Sequence, residues 1–264
     1  MFAARAGIVA LPDAAAALQL SHRDTTLRMR ELVRLGAVRR IARGLFFLVP
    51  IKTKDPRLER PYDGAVVASA LFRPCYIGGW SAADAWDLLL SFKRETFVVT
   101  SSRVRVASMR VGNFRFRLAH VPERLITGTD IVLRSNGASM SDPERTLVDA
   151  LRSPSWLGGA RPLAQALREH RRSDRWDPDR FVEALLRAGN GAAIKRLGAL
   201  DHLMGLDIAE VVNSLSDRRT CGIVALEPGA GTGGRTDTRC GVRLNVDLDV
   251  KDEEDEEEGE NSDP

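Results

Sequence analysis

Ser21 and Asp24 stand at the S-x-x-D spacing of a capping box, ahead of an arginine-rich helical run that Gly36 closes, and a hairpin follows at once. These marks constrain the first fifty residues to helix, helix, hairpin. Pro12 lies in the opening turn of a short Ala-rich helix reaching Leu18. Along the second helix, taken to about Leu35, 100° steps place Arg23, Thr26, Arg30 and Arg34 on one stripe. Met29, Leu32 and Val33 fall on the opposite side with Leu35 at its edge, so one face can be buried while the other offers guanidinium groups and a hydroxyl. Residues 38–41 and 45–49 read as strands joined at Ala42-Arg43-Gly44, where the glycine supplies a permissive backbone. Two short helices, a basic second helix and a basic-tipped hairpin are the parts of a winged helix-turn-helix.

A helix of this diameter fits the major groove, and arginines pair with guanine edges or phosphates. Arg39, Arg40 and Arg43 on the hairpin are placed to hold the neighbouring backbone. Seven arginines stand against Asp24 and Glu31 within residues 21–43, a skew that solubility alone does not require. Over the whole chain, 39 basic residues nearly balance 36 acidic ones, but residues 252–264 carry nine carboxylates and no cation. The remainder holds 27 acidic residues against 39 basic ones, a net +12. A basic body with an acidic tail points to a polyanionic partner for which the tail can compete. Arginine outnumbers lysine 34 to 5, a codon-usage signature, so only its local clustering is informative.

A length of 264 residues suits two domains, and 44% hydrophobic with 28% charged residues excludes a wholly disordered or collagen-like chain. Residues 51–61, polar and with Pro56 and Pro61, read as a linker. The division is therefore 1–50 as a winged helix-turn-helix domain, 51–61 as linker, 62–250 as an α+β domain and 251–264 as a disordered acidic tail. In the second domain helices are expected at 62–72 and 81–90, a buried strand at 95–100, and a hairpin of 103–110 with 114–121 around Gly112-Asn113. Phe114, Phe116 and Leu118 alternate with Arg115, Arg117 and Ala119, which marks one wet face. A further hairpin is signalled at Asn136-Gly137. Asp142 and Pro143 open a helix that Pro154 ends, and helices follow near 160–171, 178–188 and 192–204. The fold class is α+β, an N-terminal winged helix-turn-helix followed by a mixed α+β domain with a meandering antiparallel sheet.

No catalytic constellation assembles. Residues 229–234 contain GxGxxG, but no helix signal and no GK[S/T] follow, so a flexible hairpin loop is the reading and not a nucleotide cradle. His22, His120, His170 and His202 are dispersed without zinc-site spacing. Asp142 and Glu144 are explained as helix-start residues and Asp149 as a partner of Arg145 at i, i+4, leaving no nuclease cluster. No enzyme, metal or cofactor is expected. Cys75, Cys221 and Cys240 are widely spaced, as in reduced intracellular thiols. No apolar run is long enough to span a bilayer, and Pro12-Asp13 interrupts the apolar start as a signal peptide would not, so a cytoplasmic protein without a membrane partner is expected.

The order of motifs resembles the AbiEi family of antitoxins from type IV toxin–antitoxin (abortive infection) systems. The resemblance is carried by residues 32–36, by 40–46 and by Tyr76-Ile77-Gly78-Gly79-Trp80-Ser81-Ala82. It continues through Ser141-Asp142-Pro143-Glu144-Arg145-Thr146-Leu147-Val148-Asp149, Gly158-Gly159 and Lys195-Arg196-Leu197-Gly198, and covers residues 5 to about 250. It implies a prokaryotic protein whose winged helix represses its own operon and whose larger domain counteracts a cognate nucleotidyltransferase-like toxin. Operator DNA and that toxin are the implied partners, and the DNA-contacting positions are those of the second helix and the wing. The 141–146 segment reads as architectural. Asp87-Leu88 departs from the Gly-Leu with which the family often ends the preceding helix, so a reshaped turn is expected there, and the N-terminus lacks a full first helix. The alternative is a stand-alone winged-helix regulator whose second domain senses a ligand or dimerises.

Overall fold

A computed structural model describes residues 7–49, 63–90, 93–128, 130–135 and 137–248. The expected linker at 51–61 and the tail at 251–264 lie outside the described residues. The chain is α+β and its contacts divide into two compact units, Met1–Ala82 with Ser91–Asp142, and Ala83–Leu90 with Pro143–Pro264. This division falls after Ala82 and after Asp142, not at the expected linker.

The first unit opens with β1 (Ile8–Ala10), α1 (Leu11–Leu18), α2 (His22–Arg34), β2 (Val38–Ala42) and β3 (Leu45–Leu48). The strands form an antiparallel sheet in the order β1-β3-β2, with Ile8 opposite Phe47 and Arg40 opposite Phe46. β1 was not anticipated, because three residues ahead of Pro12 blend into an Ala-rich helical run. It forms because Ile8 and Val9 are buried in pairing with β3, and Pro12 starts α1 immediately afterwards. Val9, Leu11, Ala14, Met29, Val38 and Phe46 make a small core.

The rest of this unit is α3 (Gly64–Leu71) on a six-stranded sheet of β4 (Cys75–Ile77), β5 (Glu95–Thr100), β6 (Ser108–Val111), β7 (Phe114–His120), β8 (Ile131–Leu133) and β9 (Ser139–Ser141), ordered β6-β7-β5-β4-β9-β8. The expectation of an antiparallel meander is corrected: β5 pairs β7 and β4 pairs β9 in parallel, so the sheet is mixed. Burial explains the exchange. Phe116 and Leu118 are buried and take the place beside Phe97–Thr100, with Phe72 edge-on to Phe116 at 5.3 Å. β6, exposed at Ser108, Met109 and Arg110, is left at the rim.

The second unit holds the end of α4 (Gly79–Ala85), then α5 (Pro143–Arg152), α6 (Ala160–Arg172), α7 (Pro178–Ala188), α8 (Gly191–Met204), the unanticipated α9 (Ala209–Ser214), and a small sheet of β10 (Val224–Ala225), β11 (Arg235–Asp237) and β12 (Val242–Leu244). After α4 the chain turns with Asp87 at φ 59, its N–H bonded to Asp84 O and that of Leu88 to Ala83 O. This is a Schellman ending with aspartate where glycine is relaxed. Residues 229–234 form a loop as expected but not a hairpin, since β12 lies between β10 and β11.

Every residue of α5 except Arg152 is buried. Arg145 Nε donates to Asp149 Oδ2 at 2.9 Å and Arg152 Nη1 to Asp149 Oδ1 at 2.9 Å, which contains the anticipated i, i+4 pair. Arg196, buried on α8, donates to Leu151 O at 2.8 Å, Arg152 O at 3.1 Å and Ala225 O at 2.9 Å, fastening the end of α5 to the small sheet. Burial lowers its pKa. Lys195 Nζ donates to Gly222 O, and Glu227 accepts the Ala160 N–H at the start of α6, 2.7 Å away.

Candidate nucleic-acid interface

Both ends of α2 are anchored by local chemistry. Ser21 Oγ accepts the Asp24 N–H at 3.1 Å and donates to Asp24 Oδ2 at 2.7 Å. At the other end Ala37 N–H bonds to Leu32 O and Gly36 N–H to Val33 O, with Gly36 at φ 71. The buried stripe is Thr25 and Met29 with Leu32 half-buried, narrower than expected. Val33 and Leu35 are exposed and Thr25 takes their place inside, its hydroxyl donating to Ser21 O at 2.8 Å. Positions 25, 29 and 32 lie one above another, and so small a core covers only that stripe.

Arg23, Arg30 and Arg34 are exposed on α2, as are Arg39, Arg40 and Arg43 on the hairpin, while Thr26 is half-buried with its hydroxyl donating to His22 O. Arg40 Nε donates to Ala42 O at 3.3 Å across a register shift in β2. Arg28 is tied to Glu31 at 2.9 Å. Among the described residues Arg23, Arg30, Arg34 and Arg43 form no ion pair. Thr26, Arg30, Arg40 and Arg43 converge on one groove of about 790 Å³, whereas Arg23, Arg34 and Arg39 stand outside its lining.

A second basic surface escaped the reading of the sequence. Lys93, Arg94, Arg103, Arg105, Arg110, Arg115 and Arg117 are all exposed, with Glu95 as the one carboxylate between residues 93 and 117. The β6–β7 register sets Arg110 directly opposite Arg115, an unfavourable juxtaposition for the sheet alone. The Lys93 ammonium sits 3.8 Å from the Trp80 ring centroid. Partial burial, with Arg117 adding to it and Glu95 opposing, holds the Lys93 pKa below the ordinary lysine value. At the β6–β7 turn Gly112 abuts β2, where a Cβ would stand 3.0 Å from Ile41 O, so this edge continues the basic surface of the hairpin. The signal available was the seven-to-one charge skew, which alternation alone presents as an ordinary wet face.

Asp142, which ends the first unit, and Glu144 and Asp149 in the second are each no more than 3% exposed. Glu144 faces His170 at 3.5 Å and Arg180 at 3.6 Å. Burial alone would raise its pKa, but the His170 contact, its own backbone N–H and the charge of Arg180 hold it below the ordinary value of 4.5. At 3.5 Å the His170 contact is long for a hydrogen bond. Among the described residues no three His, Cys, Asp or Glu side chains are grouped to hold a metal ion, and no helix is long and apolar enough to cross a membrane.

No protein-family model and no curated protein matches the chain. Among solved structures it is similar to the RV2827C protein from Mycobacterium tuberculosis. The likeness has a TM-score of 0.55 at 16% sequence identity and covers 89% of this chain and 85% of that one. At that identity the likeness concerns the fold.

Proposed function

We propose that residues 8–48 are a winged helix-turn-helix that binds duplex DNA, and that the chain is a non-enzymatic antitoxin repressing its own operon. The observation that carries the DNA-binding reading is the set of exposed guanidinium groups of Arg23, Arg30, Arg34 and Arg43, without an ion pair among the described residues, beside a sheet of order β1-β3-β2. In this arrangement α2 enters the major groove and the β2–β3 turn lies along the flanking backbone. Phosphate neutralisation by these arginines supplies affinity, and guanine contacts from the same stripe supply sequence preference. The basic β6–β7 edge extends the phosphate track. A binding role over catalysis is supported by the buried, paired state of Asp149, which has no access to a substrate. The antitoxin role rests on the motif resemblance.

The test is operator affinity as a function of salt for Arg30→Ala and Arg34→Ala. Each replacement is expected to weaken binding and reduce the log–log salt slope by about one. Unchanged affinity and slope in both would show that α2 does not touch DNA. Co-expression with a nucleotidyltransferase-like toxin of the kind the resemblance implies tests the second part, and persistent growth arrest would refute neutralisation.

A further inference from the structure

The groove between α2, the β2–β3 turn and α3 has a chemistry that duplex DNA does not use. Its floor is apolar, formed by Leu11, Phe46 and Leu71, and its rim carries Arg30, Arg40 and Arg43. Among the described residues no carboxylate lines it. A volume of about 790 Å³ is in the range of small-molecule sites, and is far too small to admit a double helix about 20 Å across. Phosphates meeting these arginines from outside leave the apolar floor vacant. Three guanidinium groups held near one another without a carboxylate among them call for an anion. The floor adds a requirement for an apolar body of one or two rings, or an equivalent alkyl chain.

We propose that this groove binds a small amphipathic organic anion, with its carboxylate or sulfonate on Arg30, Arg40 and Arg43 and its apolar body on Leu11, Phe46 and Leu71. The same arginines are assigned to DNA, so ligand and DNA exclude each other and the anion acts as an inducer. This last step rests on the DNA-binding reading above, whereas occupancy of the groove does not.

The full chain is titrated with 8-anilinonaphthalene-1-sulfonate, followed by fluorescence and calorimetry. Saturable binding of one molecule per chain is expected, weakened about tenfold or more by Arg30→Ala or Arg40→Ala. Ala70→Trp, which fills the groove without altering charge, is expected to abolish binding, and Arg172→Ala in the second unit to leave it unchanged. Circular dichroism establishes that each variant is folded. Non-saturable binding, or binding indifferent to Arg30→Ala, Arg40→Ala and Ala70→Trp, overturns the site. Groove-dependent probe binding by a chain that binds no operator DNA keeps the site and removes the DNA-binding reading. Probe and DNA binding at once, with neither weakening the other, overturns their mutual exclusion.

Discussion

Replacing Asp149 by Ala tests whether the charges of α5 are architecture. Asp149 is 1% exposed and its two carboxylate oxygens each accept from a different arginine, Arg145 Nε and Arg152 Nη1, both at 2.9 Å. Arg145 is itself fully buried, so the variant takes the Asp149 bond from a guanidinium that water cannot reach. Removing one partner of such a buried pair costs about 3–5 kcal/mol, a large share of the ~5–15 kcal/mol that holds a domain folded. The midpoint of thermal unfolding is expected to fall by roughly 10–15 °C. Trp86, Trp156 and Trp176 lie in this unit, so tryptophan emission in urea reports it directly. Removing both charges, as Arg145→Leu with Asp149→Leu, is expected to recover most of the loss, since the uncompensated charge and not the missing bond dominates. DNA binding at low temperature is expected to persist, because the basic residues belong to the other unit. A loss below about 1 kcal/mol in Asp149→Ala, or no recovery in the double variant, would refute the reasoning.

Asp87→Gly is expected to stabilise the chain by about 1 kcal/mol in chemical denaturation, because Asp87 is held at φ 59, where a side chain is strained. Glu144 titrates below 4.5 when folded, so the stability it contributes is complete above that pH and declines as pH falls through the folded value. Glu144→Gln is expected to flatten this acid limb, as followed by urea midpoints between pH 3 and 6. Deleting residues 252–264 removes nine carboxylates and is expected to tighten nonspecific DNA binding at low salt, measured by fluorescence anisotropy.

Where structure follows from neighbours in the chain, the sequence was a sound guide. Ser21, Gly36 and Gly44 act within a few residues of themselves, and the helix and hairpin they delimit occur where those residues place them. Residues 95–100 and 178–188 have the predicted limits for the same reason. The parallel pairing of β5 with β7 was not legible, because it is chosen by competition between two strands for one buried position. That competition turns on Phe116 and Leu118 meeting Phe72, more than forty residues away. The same limit hid half of the candidate interface. Arg110 and Arg115 are just two exposed arginines until the register places them side by side. On α2 the residue types were right but the buried stripe was displaced, since Thr25 satisfies its own hydroxyl and so can go inside.

The carboxylate of Glu227 closes the first turn of α6 from 67 residues further along the chain. A ribosome releases Ala160 long before Glu227, so during synthesis this helix waits with an open end while the intervening three helices emerge. Maturation of the second unit is therefore tied to late translation, and a nascent chain stalled before Glu227 would present α6 to chaperones and proteases in an unfinished state.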